Sequence, residues 1–357
     1  MVPRMTTSSD AQLRRAIAAD LPSAAFRRRP LRVLLIFPLV GLIIVASAVL
    51  LVPALPWYLI APTLLVLANA YVALMFFGHE VAHGATVRSE RVQDLVLWAS
   101  CAIFVVSSHL WRHWHNELHH GRTNVPSVDP DRYDLVEDLA RAKKLIRWLT
   151  TRFAPGSGRW PSAFYLFMAF TIHGQSVLWH DTRQQPSPGF NWGRAVIETG
   201  VVVAFWAGLA VAVGPRGALL IIVAPMLLAN AIVMAYITTN HMLRPLTQAP
   251  DCLGTTMSVT TLRAIDAIHL HFSHHVEHHL FPAMSHHHYP LVRASLRRHA
   301  GERYLAPAHW RALLTIYQTP RHYATHDELI NPLTGHRVPL VAVEARLRPL
   351  PAGSRDP

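Results

Sequence analysis

The chain has 357 residues, of which 51% are hydrophobic and 15% are charged, and its mean hydropathy is +0.23. Soluble domains average about 25% charged residues, so this chain has too few charges for a surface that faces only water. Its net charge is +12, and 31 of its 33 cationic side chains are arginine. Two cysteines exclude a disulfide framework, an iron–sulfur cluster and a cysteine-rich zinc site. The composition indicates an integral membrane protein rich in arginine and in histidine, of which there are 24.

Four apolar runs are long enough to cross a bilayer, because a spanning helix needs about 20 predominantly apolar residues. The predicted spans cover residues 33–52, 57–77, 195–213 and 218–238. Two short turns that contain proline, 53–56 and 214–217, join the spans in pairs. The sequence therefore predicts an all-α integral membrane protein with four transmembrane helices in two hairpins and both termini on one side.

The distribution of cations indicates which side that is, because cytoplasmic loops of membrane proteins are enriched in Lys and Arg. Of the 33 Lys and Arg residues, 32 lie in the termini and in the long middle segment, and Arg216 lies in the second turn. Both termini are therefore predicted to be cytoplasmic. Since topology accounts for the charge, no nucleic-acid partner is expected.

Two further segments, 94–108 and 160–179, are too short or too polar for a span. The first is interpreted as re-entrant or interfacial, and the second as interfacial. The predicted organisation is a cytoplasmic N-terminal segment (1–32), a membrane domain (33–300) and a cytoplasmic C-terminal tail (301–357). The cytoplasmic parts of the middle domain form a predicted helical cap that holds most of the histidines.

Three histidine clusters stand out on the predicted cytoplasmic side, HEVAH at 79–83, HNELHH at 115–120 and HVEHH at 275–279. Residues four apart on a helix share a face, so His79 and His83 are predicted to bind one metal ion. The same spacing pairs His115 with His119. His120 is rotated by about 100° from its neighbour and is expected to reach a second metal ion.

Eight clustered imidazoles are more than the four ligands of one tetrahedral zinc ion, so they favour two metal ions. Imidazole nitrogen suits Fe, Cu, Zn or Ni. His241, directly after the fourth predicted span, is a candidate ninth ligand. The candidate metal ligands are His79, His83, His115, His119, His120, His275, His278, His279 and His241.

Other metal chemistries compete with this interpretation. The first cluster matches the H-E-x-x-H pattern of zinc proteases, with Glu80 as the base, but a protease would leave the other two clusters unused. A ferritin-like di-iron carboxylate site needs further inward-facing acids, and the predicted spans contain only Glu198. A histidine-rich metal transporter needs polar residues along the spans, where Asn69, Asn230 and Glu198 are the main ones.

The three clusters resemble the H-x3-H, H-x3-H-H and H-x2-H-H boxes of the membrane fatty acid desaturase family. The flanking stretches HHGRTNVPSVDPD, TTNHMLRPLT and FSHHVEHHLFPAMSHHHYPLVR also resemble bacterial members of that family, and the likeness covers about residues 35–300. The resemblance implies a non-haem di-iron centre, with the eight box histidines as ligands, at the cytoplasmic membrane face. It also implies that O2 and two electrons are used to remove two hydrogens from a fatty acyl chain carried on lipid, CoA or a carrier protein.

The same resemblance suggests which side chains support the ligands. Polar groups next to the boxes are expected to orient imidazole N–H groups. Asn240, beside His241, matches a region where some relatives add a ligand. The supporting candidates are Glu80, Glu117, Asp129, Asp131, Asn240 and Glu277.

Electrons are expected from a separate protein. The residue before Val276 is His275 rather than Gln, and no haem-binding donor domain is recognised, which argues against a front-end desaturase with its own donor. The expected donor is a ferredoxin with an NAD(P)H-dependent reductase, which the Arg-rich face would attract. A hydroxylase that uses the same di-iron site is the nearest alternative. Arg- and Ala-rich usage hints at a bacterial source, so the predicted location is a bacterial inner membrane.

Overall fold

The computed structural model describes residues 9–126, 128–133, 135–184, 189–249 and 251–348. The chain is mostly helical, as predicted, and it also contains a small sheet. The α-helices are α1 Ser9–Asp20, α2 Ile36–Leu51, α3 Trp57–Ala82, α4 Glu90–Ala102, α5 Ser108–Arg112, α6 Val136–Arg141, α7 Lys144–Phe153, α8 Tyr165–Ser176, α9 Thr182–Gln184, α10 Trp192–Ala218, α11 Ala224–His241, α12 Cys252–Thr255, α13 Arg263–Ile268, α14 His275–Leu280, α15 Tyr289–Ala300, α16 His309–Gln318 and α17 Leu340–Leu347.

Shorter helical turns connect several of these helices. Stretches of π-helix cover His113–His119, Val177–Asp181 and Leu219–Val223. Stretches of 3-10 helix cover Ser23–Phe26, Pro30–Leu35, Trp160–Phe164, His286–His288 and Gly301–Arg303. The strands are β1 His322–Tyr323, β2 Glu328–Ile330 and β3 Arg337–Pro339.

Within the described residues, three helical segments are long and apolar enough to cross a membrane. They are Pro30–Leu51, Trp57–Ala82 and Trp192–His241. The first covers the predicted span 33–52 except for its last residue, and the second contains the predicted span 57–77. The third is 50 residues long and contains both of the other predicted spans. The prediction of a membrane protein is confirmed to this extent.

The third segment changes direction at Gly214. A straight helix of that length would measure about 75 Å, whereas the hydrocarbon core of a bilayer is roughly 30 Å thick. Gly214 has φ 72° and ψ 174°, a left-handed conformation that interrupts the helix and that glycine adopts at low cost. Pro215 follows and cannot donate a helical hydrogen bond. The guanidinium of Arg216 donates to the Leu50 carbonyl at 3.5 Å, so the break lies beside the C-terminal end of α2.

The candidate spans differ in how much of their apolar surface is buried, and the buried part lies near the histidines. In Pro30–Leu51 only 11% of the most apolar window is buried, whereas in Trp57–Ala82 half of it is. The buried half of α3 is its C-terminal half, from Leu67 to Ala82. The helix also continues beyond the predicted limit at residue 77, which carries His79 into its last turn.

The two predicted interfacial segments are helical and are not among the candidate spans. Segment 94–108 contains most of α4. Ser100 of this helix is fully buried and lies against Gly78 of α3. Segment 160–179 contains a 3-10 turn, α8 and part of a π-helix. Asn230 of α11 accepts a hydrogen bond from the Thr171 backbone N–H at 3.1 Å, so α8 packs against the third candidate span.

The described part of the predicted C-terminal tail, residues 301–348, is folded and packs on the rest of the protein. Strands β1, β2 and β3 form an antiparallel sheet in that order. Tyr323 is buried, and its hydroxyl donates to the Arg244 carbonyl at 2.5 Å. The buried guanidinium of Arg321 donates to the Met242 carbonyl at 2.7 Å. The C-terminal region therefore supports the chain just after His241, which the sequence analysis did not foresee.

Candidate metal centre

Four helical elements carry the nine candidate ligands to one place. The end of α3 carries His79, with His83 at its cap, and α11 ends at His241. The helix that begins with α5 continues as π-helix through His119. Helix α14 carries the third cluster. The approach of α3 to α4 is close at Gly78, where a Cβ would lie 2.2 Å from the Ser100 hydroxyl oxygen, so only glycine fits there.

The nine histidines gather into two groups, and in each group the candidate ligand atoms all lie within 4.8 Å of one another. Each group can hold a metal ion. We define the first group as His79, His83, His115, His120 and His278, and the second group as His119, His241, His275 and His279. All nine predicted residues therefore meet, including His241, although the clusters are separated by as many as 200 positions in the chain.

Imidazole nitrogens face one another at short distances in both groups. In the first group the Nε2 atoms of His79 and His115 are 2.9 Å apart, and those of His120 and His278 are also 2.9 Å apart. In the second group the Nε2 atoms of His241 and His275 are 2.7 Å apart. Buried ring nitrogens without a hydrogen-bond partner in the described chain include His83 Nε2 and His279 Nε2. Convergent lone pairs with no protein donor to satisfy them are what a metal ion requires.

The middle cluster is divided only partly as predicted. His115 was expected to share a metal ion with His119, and these two residues do meet in a smaller candidate group with Asp131. In the two larger groups, however, His115 lies with His120 and His119 lies in the second group. The reason is the π-helix, in which the His120 N–H donates to the His115 carbonyl at 3.1 Å, five residues back. A π-helix has a wider turn than an α-helix, so residues five apart share a face.

The last cluster divides by ordinary helical spacing. His275 and His279 are four apart in α14 and both belong to the second group, whereas His278 belongs to the first. Neighbouring residues therefore serve different groups twice, at His119–His120 and at His278–His279.

Two of the predicted supporting carboxylates contact a candidate ligand directly. The Nδ1 atom of His119 lies 3.0 Å from Asp129 Oδ1 and 3.3 Å from Asp131 Oδ2. Burial on its own lowers the pKa of His119, but Asp129 and Asp131 outweigh it and raise that pKa to about 9. Asp129 is itself held by the Asn124 backbone N–H, which donates to its Oδ2 at 2.7 Å.

The other predicted supporting groups make different contacts. Glu80 accepts hydrogen bonds from Arg32 and from the Ser285 hydroxyl, and Glu117 pairs with His113, which is outside both groups. Glu277 accepts from Ser258, Arg293 and Tyr304. Within the described residues, none of these three carboxylates forms a hydrogen bond to any of the nine histidines. Asn240 is fully buried, and its side chain has no hydrogen-bond partner there.

Sequence reasoning missed three polar contacts at the centre. The Tyr289 hydroxyl lies 3.0 Å from His278 Nδ1, and the Thr123 hydroxyl lies 3.4 Å from His279 Nδ1. Asn124 places its amide against the carbonyls of His241, Pro245 and Thr255 at 3.2–3.3 Å. All three had a signal, since Thr123 and Asn124 lie in the stretch HHGRTN and Tyr289 lies in the stretch SHHHYPLVR, both of which flank a histidine cluster.

Most of the imidazoles outside the candidate spans are neutral at neutral pH. Burial lowers the pKa of His83 to about 3, with further lowering by His286 and Arg112. Burial, and then the neighbouring imidazoles, also lower the pKa values of His115, His120, His275, His278 and His279 well below the usual range. Neutral imidazole is the form that ligates a metal ion, so these lowered pKa values favour metal binding, whereas His119, whose pKa is raised, must release a proton to bind a metal ion.

An apolar cavity opens against both histidine groups. Its histidine wall includes His79 and His115 of the first group and His119, His241 and His275 of the second. Most of the remaining lining is apolar or aromatic, namely Met75, Phe76, Trp111, Trp114, Phe170, Val233, Ile237 and Phe272, and Asp131 completes it. The cavity thus joins the candidate metal positions to side chains from α3, α8 and α11.

Candidate membrane spans together with two histidine groups at an apolar cavity define a class of membrane-bound metal-binding proteins. The family model described as "Fatty acid desaturase" matches residues 55–311, which is well over half of the chain and includes all nine histidines. The chain therefore belongs to the fatty acid desaturase family, as the sequence resemblance predicted, and this membership implies an oxidoreductase. A comparison with curated proteins finds no match.

Proposed function

We propose that the protein is an O2-dependent fatty acyl desaturase with a non-haem di-iron centre held by the nine histidines. The observation that carries the proposal is the apolar cavity that ends on histidines of both groups. A carbon–hydrogen bond of an acyl chain has no polar handle, so acid–base catalysis cannot break it. When bound, two iron ions supply, with O2 and two electrons, the oxidant that removes two hydrogens from the chain.

The protein's own side chains position the substrate and protect the reaction. The apolar lining, including Phe170, Val233 and Ile237, would hold methylene groups beside the histidines. Trp111 and Trp114 are buried and line the cavity, and the Trp111 ring stacks on the His115 ring with the centroids 4.4 Å apart. Such packing keeps water away from the reacting carbon atoms. Asp129 and Asp131 accept the Nδ1 proton of His119, which leaves its Nε2 lone pair for the metal ion.

The same proposal includes the topology and the electron supply. The two arms of Trp192–His241 on either side of Gly214 would be separate spans, which gives four spans in two hairpins. The Arg-rich face would be cytoplasmic, in a bacterial inner membrane, by the positive-inside rule. An acidic ferredoxin, reduced by an NAD(P)H-dependent reductase, would supply the electrons at that face.

The first test is the metal content per chain, measured by elemental analysis of protein purified in mild detergent without added metal. We expect about two irons per chain, as a two-metal oxidative centre requires. One zinc and no iron, after reconstitution with ferrous iron has been tried, would contradict the proposal and favour the H-E-x-x-H protease. Lipid profiling of cells that express the protein then separates new double bonds from new hydroxyl groups.

The second test concerns the cavity. Val233→Phe would fill space at the cavity wall, because Val233 is 1% exposed and lines it. We expect a loss of roughly tenfold or more in desaturation of long acyl chains with two irons retained. Val203→Phe is the matched control, since Val203 lies in the same candidate span at 50% exposure. Equal activity of both variants would show that the acyl chain does not occupy this cavity.

A further inference from the structure

Helix α7, Lys144–Phe153, turns its apolar side chains away from the protein. Leu145 is 65% exposed, Ile146 49%, Trp148 47% and Leu149 37%. We call these four residues the outward face of α7. At 100° per residue they cover one side of the helix. The residue of α7 that is buried is the polar Thr151, on the opposite side.

This arrangement is the reverse of a helix on a water-soluble protein, which buries its apolar side chains against the core. Exposing four large apolar side chains to water would be costly, since transfer of apolar surface out of water is favourable in proportion to its area. Something apolar is therefore expected to cover the outward face in the native environment.

Cations surround the outward face. Lys143, Lys144 and Arg147 are exposed, and Arg152 stacks over the Trp148 ring with its guanidinium carbon 5.0 Å from the ring centroid. The described acidic residues nearest in the chain, Glu137 and Asp138, belong to the preceding helix α6. A helix with an apolar side and flanking Lys and Arg is typical of one that lies in the plane of a membrane and contacts anionic headgroups.

Exposed apolar side chains continue from α7 through the next two helical elements to a candidate span. Helix α7 contacts the 3-10 turn Trp160–Phe164, in which Trp160 is 79% exposed and Phe164 50%. Helix α8 follows, with Ile172 exposed at 57%, and it packs on α11 of the third candidate span. Exposed Trp at such a position is characteristic of the membrane–water interface.

From these observations we infer that α7 lies in the membrane interface and binds the surface of a bilayer that contains anionic lipid. The outward face enters the boundary between headgroups and acyl chains. The phosphate-bearing anionic headgroups are attracted electrostatically by the four cations near this face, Lys143, Lys144, Arg147 and Arg152. A lipid surface is favoured over a protein partner because the outward face continues toward a candidate membrane span.

Site-directed spin labelling tests the depth of α7 in the full-length protein. The native Cys101 and Cys252 are both buried, so labels are directed to introduced cysteines. Leu149→Cys probes the outward face, and Glu302→Cys, at a side chain that is 96% exposed and lies outside α7, is the control. In discs of phosphatidylcholine with phosphatidylglycerol, we expect the label at 149 to be protected from a water-soluble relaxation agent and reached by O2, with the reverse at 302. A water-accessible label at 149 would overturn the inference and leave a protein partner as the occupant.

Amide hydrogen exchange on the unmodified protein tests the preference for anionic lipid without any substitution. We expect the peptide that covers residues 144–153 to exchange severalfold more slowly in discs with phosphatidylglycerol than in discs of phosphatidylcholine alone. In the Lys144→Gln, Arg147→Gln, Arg152→Gln variant that difference should disappear, while the metal content stays at the wild-type level. Equal exchange of the wild-type peptide in both lipids would contradict the role of the cations. Neither measurement depends on the metal or on the proposed reaction.

Discussion

The two histidine groups differ in the side chains that contact the Nδ1 atoms of their imidazole rings. In the second group, His119 is backed by two carboxylates, Asp129 and Asp131. In the first group, the Nδ1 atom of His278 contacts a neutral group, the hydroxyl of Tyr289. A carboxylate makes an imidazole a more basic ligand and offsets the charge of a bound metal ion, whereas a hydroxyl mainly orients the imidazole ring. We therefore expect two metal ions in these groups to be inequivalent, with the second group binding more tightly.

The largest expected effect comes from removing one ligand from each group. His278 and His279 are adjacent but belong to the first and the second group, respectively. We expect His278→Ala and His279→Ala each to abolish desaturation and to lower the iron content from about two to about one per chain or less. Iron analysis and product analysis of the acyl chains provide the measurement. Full desaturation activity of either variant would refute the ligand assignment.

A smaller effect, confined to the second group, is expected from Asp129→Asn. The amide keeps the shape of the side chain but loses the charge behind His119, so the affinity of the second group should fall by about 10- to 100-fold. Chelator competition on the iron-loaded protein would then release one iron at a lower chelator concentration than the other.

Glu117→Gln is the matched control for that variant, because Glu117 contacts His113 and its side chain is 60% exposed. It should leave both irons as tightly bound as in the wild type. If Asp129→Asn and Glu117→Gln behaved alike, the contrast drawn between the two groups would be wrong.

The smallest effect is expected from Asn124→Ala, which acts on the second group through the backbone. It leaves the buried carbonyls of His241, Pro245 and Thr255 without the Asn124 amide, at a cost of about 1–3 kcal/mol in the free energy of unfolding. Thermal unfolding followed by circular dichroism measures that loss, and iron analysis should show partial depletion.

Asn331→Ala supplies the comparison, because Asn331 is also buried and donates to the Ser157 carbonyl away from the histidines. Its stability should fall similarly with the iron content unchanged. Iron loss in both variants to the same degree would mean that Asn124 has no special relation to the second group.

Much of the centre was predictable from sequence because histidine is costly to bury without a partner and is rarely clustered. The three clusters and His241 identified all nine residues that meet, and family membership is confirmed by the match to residues 55–311. Their roles as ligands remain predictions. The separation of His119 from His120 was predicted, but the placement of His115 with His120 was not, because the i,i+4 rule assumes an α-helix and the π-helix at His113–His119 departs from it.

Other features of the structure could not be predicted from the sequence, for a different reason. The contacts of Glu80 with Arg32 and of Arg321 with Met242 join residues 48 and 79 positions apart, so spacing along the chain carries no signal for them. The strands within residues 301–348 were not foreseen because they are two or three residues long, too short for a recognisable alternation of polar and apolar residues. Helix α7 was overlooked since its apolar residues are interleaved with cations.

The alternation of neighbouring histidines has a mechanical consequence. At His119–His120 and again at His278–His279, one peptide unit connects the first group to the second. Consecutive Cα atoms are 3.8 Å apart and the peptide is planar, so these two links act as rigid spacers. The separation of the groups is then set by backbone geometry, while each ring can still re-aim by rotation about its side-chain bonds. A catalytic cycle that changes the preferred coordination geometry would be accommodated by turning rings rather than by moving helices.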